Sequence, residues 1–91
     1  MIIRKPSNSA DPTIVALQAL AVALRDSQRA QRLLELTGLT SDELRARATE
    51  PHMLAAVLSF LEAHEPDLIA VADELGISPQ ELVAARSALE A

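Results

Sequence analysis

The sequence predicts an all-α fold: one six-helix domain, read as two degenerate three-helix repeats packed about two central apolar helices. Three observations carry this. The chain is 49% hydrophobic and only 1% aromatic, and just two glycines interrupt it; its apolar content is mostly Leu and Ala, which are strong helix formers. Two apolar stretches of helical length, Ile14 to Leu24 and Met53 to Leu61, each contain one polar residue. A glycine joint followed by a capping residue then occurs twice, at Thr37-Gly38-Leu39-Thr40 and at Leu75-Gly76-Ile77-Ser78.

Residues 1–10 mix Ile2 and Ile3 with Arg4, Lys5 and Pro6. They lack helical periodicity and read as a flexible arm ahead of a single domain over 11–91. Asp11-Pro12 is a helix start, with an acceptor at the N-cap and proline in the first turn. From Ile14 to Leu24 only Gln18 is polar, so this helix is expected to be buried on nearly all sides. The next helix, over 25–37, starts from Asp26 or Ser27. Its narrow apolar stripe is Ala30, Leu33, Leu34 and Thr37, and Gly38 ends it in a left-handed turn. Thr40 and Glu43 fit a capping box, which opens a short helix to about Ala48 with Leu44 inward.

Glu50-Pro51 starts the fourth helix as Asp11-Pro12 starts the first, and His64 sits where its last carbonyls need a donor. Glu65-Pro66 starts the fifth, with Leu68, Ile69, Val71, Ala72 and Leu75 expected inward. Ser78-Pro79-Gln80-Glu81 is a second capping box, and the last helix places Leu82, Ala85 and Leu89 on one face. The glycines stand 38 positions apart, and Glu43/Glu81, Leu44/Leu82 and Ala46/Ala84 match at that spacing. The spacing predicts a duplicated unit, approximately 11–48 and 50–90. A pseudo-twofold arrangement would put the two apolar helices together in the middle.

Net charge is −5. It is uneven: residues 1–47 carry +2 and residues 48–91 carry −7. The halves therefore attract, within one chain or head-to-tail between chains. A negative chain repels phosphate backbones and anionic membranes, and no apolar run is long enough to span a bilayer. With Phe60 as the single aromatic, no base-stacking platform is expected. The chain has no cysteine, which removes disulfides and thiolate ligands and suits a reducing cytoplasm. Arg4 and Lys5 ahead of the first apolar run imitate a signal peptide, but Asp11, Pro12 and Gln18 fit one poorly.

Two candidate sites remain. Arg25, Arg29 and Arg32 share a helix face, with Arg45 and Arg47 close in sequence; this basic face could hold an acidic partner. The plain alternative is local pairing, such as Asp26 with Arg29 and Glu43 with Arg47. The second candidate is the Gly76 corner, which has helix-turn-helix spacing within residues 66–90. Its reading helix would present Ser78, Gln80, Val83, Ala84, Arg86 and Ser87. Phosphate contact needs several cations around such a helix, and only Arg86 is basic. A glycine stop followed by a capped start explains the corner without DNA. His52 and His64 lie about 18 Å apart along one helix and cannot share a metal. No catalytic or cofactor motif is present, so no catalytic, cofactor or metal residue is assigned and no enzyme is expected.

Leu36-Thr37-Gly38-Leu39, Glu43-Leu44-Arg45-Ala46-Arg47-Ala48, Glu50-Pro51 with Leu54 to Leu61, and Gly76-Ile77-Ser78-Pro79 together resemble the domain of unknown function 3572 family. The likeness covers roughly residues 12–90. It implies a small, all-α bacterial protein and carries over no catalytic residue. The sequence thus leads first to a small, non-catalytic protein-interaction or adaptor module of the bacterial cytoplasm, its protein partner unknown. The alternative is a helix-turn-helix regulator using residues 66–90. A third reading has the central helices burying their surplus apolar surface in a homodimer.

Overall fold

The computed structural model describes residues 11–91, and the arm expected over 1–10 lies outside them. Six helices follow in order: α1 (Pro12–Leu24), α2 (Ser27–Thr37), α3 (Ser41–Ala46), α4 (Pro51–Glu62), α5 (Glu65–Leu75) and α6 (Pro79–Glu90). No strand occurs among the described residues.

Local chemistry sets these boundaries. Asp11 caps α1, its Oδ1 accepting from the Thr13 amide at 3.0 Å. Asp26 caps α2 in the same way, from Gln28 and Arg29 at 3.0 and 3.1 Å. Both capping boxes form as expected: Thr40 with Glu43 ahead of α3, and Ser78 with Glu81 ahead of α6. Each satisfies two amides that the first helical turn would otherwise leave unpaired. Glu50 and His64 stand at the N-caps of α4 and α5 without a side-chain capping bond. There, proline in the first turn removes one orphan donor instead. His64 was expected to cap the end of α4 with its side chain; it opens α5, and its backbone amide bonds the Leu61 carbonyl at 3.1 Å.

Both glycines have φ 73°, but the two corners close differently. Gly38 donates to the Leu34 carbonyl at 2.8 Å, and the Leu39 amide turns to the Thr37 hydroxyl at 3.4 Å. At the second corner, Ile77 donates back to the Ala72 carbonyl at 3.0 Å and Gly76 to Asp73 at 3.1 Å. The second pattern is the doubly bonded Schellman closure, the first the simpler single bond.

The core lies where α1, α4 and α6 meet, with α5 against α1, α4 and α6 and with α2 laid on α1. The two apolar helices do pack together, but α6 joins them as a third inner helix. Leu54, Leu58, Leu61 and Leu82 are all fully enclosed. Burial of each is worth about 1.5–3 kcal/mol, so Leu82 weighs as much as any α4 leucine. The two halves are unequal in packing for a simple reason. With twelve residues, α6 spans the core; with six, α3 contributes chiefly Leu44.

Two burial expectations are corrected. First, α1 is enclosed on one side only, through Val15, Ala16, Ala19, Leu20, Val22 and Ala23, while Ile14 and Leu24 remain 39% and 40% exposed. Second, Ile69 is half exposed. The inward position on α5 that Ile69 was expected to share is held by Asp67, which is 6% exposed.

Candidate functional site

The arginine row spans two helices: Arg25, expected to start the second helix, is the C-cap of α1, and Arg29 and Arg32 lie on α2. Arg25, Arg29 and Arg32 recur at intervals of four and three, beside Leu33, which the core encloses completely. Burying Leu33 therefore turns this row toward α5. Arg29 Nε donates to Asp67 Oδ1 at 3.0 Å, and Arg32 Nη2 donates to Asp67 Oδ2 at 2.6 Å. Arg25 meets Glu74, two turns further along α5, at 2.6 Å. The Arg32 guanidinium also lies 6.0 Å from the ring centroid of Phe60, within cation–π range.

Asp67 is the one buried charged residue among those described. A buried carboxylate is tolerated when opposite charge and hydrogen bonds replace its water. Here two guanidinium groups supply both. Asp67 was not among the residues expected at this site. Its signal was present: Asp67, Val71 and Leu75 follow at intervals of four, so the acid lies on the face that packs inward.

The local pairs fall differently from expectation. Asp26 accepts the backbone amide of Arg29, and this hydrogen bond holds its carboxyl below the ordinary value of 3.8. Arg47 reaches Glu50 at 3.3 Å and not Glu43, which is committed to its capping box. Arg45 approaches Asp42 at 3.5 Å with its side chain 77% exposed. The five arginines expected to form one face are thus divided. Arg29 and Arg32 bind α2 to α5, Arg25 ties the end of α1 to α5, and Arg45 and Arg47 make exposed pairs within and beyond α3.

At the Gly76 corner the reading-helix residues separate likewise. Gln80, Ala84 and Ser87 are exposed, Val83 is half buried, and Ser78 is occupied as the N-cap. Arg86 donates to Glu62 on α4 and, at 2.6 Å, to Glu90. The Glu62 contact raises its pKa above the ordinary value. Leu82 and Ala85 turn the opposite face of α6 into the core. With Asp73, Glu74, Glu81 and Glu90 around it, the corner is acidic, and its single cation already holds two carboxylates.

Among the described residues, three depressions bear on these candidates. One of about 480 Å³ lies where α2 faces the start of α5, lined by polar groups including Gln31, Arg32, His64 and Asp67. One of about 360 Å³ surrounds the Arg25–Glu74 pair. The third, about 240 Å³, is mostly apolar: Leu20, Leu24, Ala30, Leu34, Leu44 and Ala48 line it, with Ser41 and Arg45 as its polar groups. It exists because α3 is too short to close the space between α1 and α2. His52 is exposed near Glu50. Among the described residues no group of three or more His, Cys, Asp or Glu gathers as metal ligands, and no helix is long and apolar enough to cross a membrane.

Residues 9–91 match the family described as "Protein of unknown function (DUF3572)". No curated protein and no solved structure matches the chain.

Proposed function

The chain belongs to the DUF3572 family, and on that premise we propose that it is a small, non-catalytic protein-interaction module of the bacterial cytoplasm. The observation that carries this reading is the apolar depression between α1, α2 and α3. Its walls are aliphatic, so it suits an aliphatic side chain of a partner protein more than a polar metabolite. Arg45 stands beside it with an exposed guanidinium and one long contact to Asp42. A partner carboxylate next to that aliphatic side chain would find a charge-assisted donor there. Arg29 and Arg32 serve a different purpose in this reading, holding α2 in place and so shaping one wall of the depression, while Arg25 ties the end of α1 to α5. The cysteine-free sequence suits a reducing compartment.

The test is capture of the tagged chain from its native cells, with mass spectrometry of bound proteins. The same capture is then repeated with Arg45→Glu and with Leu34→Gln. A partner lost from both variants, while circular dichroism and thermal melting stay near the parent's, supports the reading. A partner retained by both rejects the depression as its site. The helix-turn-helix alternative keeps its spacing but draws no support from charge, because Arg86 is held by Glu62 and Glu90.

A further inference from the structure

We propose that the open side of α1 is the contact surface of a twofold dimer of this chain, with α1 of the second copy running antiparallel. At 100° per residue, Ile14, Leu17, Ala21 and Leu24 fall within an arc of about 80°. Ile14, Ala21 and Leu24 are exposed and Leu17 is half buried. The described helices leave Ile14 and Ala21 open, while Leu17 packs partly on the core and Leu24 borders the depression beside α3.

The occupant follows from the pattern, which is complementary to itself. Consider a twofold axis crossing α1 between Leu17 and Gln18. Ile14 then lies level with Ala21 of the second copy, a large side chain against a small one, and the axis repeats the match. Leu17 meets Leu17 of the second copy on one flank, and Gln18 meets Gln18 on the other. Asp11 and Arg25 both lie on the Gln18 flank, at opposite ends of the helix. The antiparallel arrangement brings each beside the other residue of the second copy, so both ends gain a pair of opposite charge. Asp11 uses Oδ1 for its own helix, which leaves Oδ2 to accept. Arg25 contacts Glu74 through Nη1 at 2.6 Å, with 70% of its side chain exposed. A guanidinium has further donors to offer. A parallel pairing would set Asp11 against Asp11 and Arg25 against Arg25, which like charge disfavours.

The contact is small. Thirteen residues make about 20 Å of helix, below the size of a tight interface. Association weaker than about micromolar is expected, because so small a contact leaves little surplus over the costs of binding. Leu24 borders both the stripe and the depression beside α3, but Ile14, Leu17, Gln18 and Ala21, about which the pairing is built, do not line the depression, so the proposal does not rest on the partner-protein reading.

The experiment is sedimentation equilibrium of the full chain from low micromolar to near-millimolar concentration. The average mass should rise from one chain toward two. Ala21→Arg should hold it at one chain with an unchanged thermal melt, because the position is exposed in the monomer. Cross-linking supplies a second readout, since the chain has no cysteine of its own. Gln18→Cys should join to a second copy through a short bis-maleimide. Ser59→Cys, on the exposed line of α4, should not. A single-chain mass throughout, a dimer that survives Ala21→Arg, or equal cross-linking at both positions would each overturn the proposal. None of these results depends on capture of a partner protein, so the two readings fail separately.

Discussion

Arg29 donates to Asp67 across 38 residues of sequence, the same interval that separates Gly38 from Gly76. Each is the third residue of its helix, and α2 and α5 are both eleven residues long. The contact therefore joins corresponding places in the two halves of the chain. It also uses their opposite charges, which the sequence alone left free to meet within one chain or between two.

Removing the carboxylate should be costly. Asp67→Ala leaves the Arg29 side chain, only 13% exposed, facing a space with no counter-charge. A loss of about 2–4 kcal/mol is expected, read by urea unfolding. Glu74→Gln removes the exposed partner of Arg25 and should cost less than about 1 kcal/mol. Equal losses from the two changes would show that burial of Asp67 does not set its weight.

Both glycines should resist substitution for the same reason. A Cβ built on either meets nothing within 4 Å, so the penalty of Gly38→Ala or Gly76→Ala is conformational alone. It should be about 1 kcal/mol at each site. Asn, which tolerates the left-handed region better, should recover part of it. A fully neutral alanine at Gly76 would mean the corner relaxes to another turn.

The capping boxes should differ in reach. Ser78→Ala weakens the start of a core helix and should lower global stability by about 1 kcal/mol. Thr40→Ala weakens the start of a six-residue helix whose main anchor is Leu44. Hydrogen exchange should show its effect first as local opening over α3. Uniform acceleration across all six helices in Thr40→Ala would contradict this division.

Acid should loosen the start of α2. The folded-state pKa of Asp26 lies below the ordinary 3.8, mainly through the hydrogen bond from the Arg29 amide. A lowered carboxyl pKa contributes stability that is present above the unfolded value and lost as pH falls through the folded one. Asp26→Asn keeps a capping acceptor without the titration, so its stability should fall less steeply below pH 3.8. Identical acid limbs for parent and variant would remove Asp26 from the account.

Arg86 should behave as a structural cation. Arg86→Ala should lower stability, because it frees Glu62 and Glu90, while a gel-shift titration on duplex DNA at low salt shows no binding by either protein. Phosphate attraction is strongest at low salt. A shift by the parent that Arg86→Ala abolishes would restore the helix-turn-helix reading.

Sequence alone determined the number and type of elements and nearly all of their ends. Proline at helix starts, capping acids and hydroxyls, and two left-handed glycines act within a few residues. Local chemistry is therefore enough to read them. The apolar runs likewise placed α1 and α4 side by side in the core. Only the tertiary structure decided which faces those helices would hide. It brought α6 inward as a third core helix, left Ile14 and Leu24 exposed on α1, and set Asp67 rather than Ile69 beneath α2. Periodicity shows that a helix has an apolar side; which neighbours reach that side depends on the lengths of the other helices. Here α3, six residues long, is too short to do for α1 what the twelve of α6 do for α4. Among the described residues the difference leaves an open aliphatic depression, a helix face with exposed Ile14 and Ala21, and an arginine row already paired within its own chain.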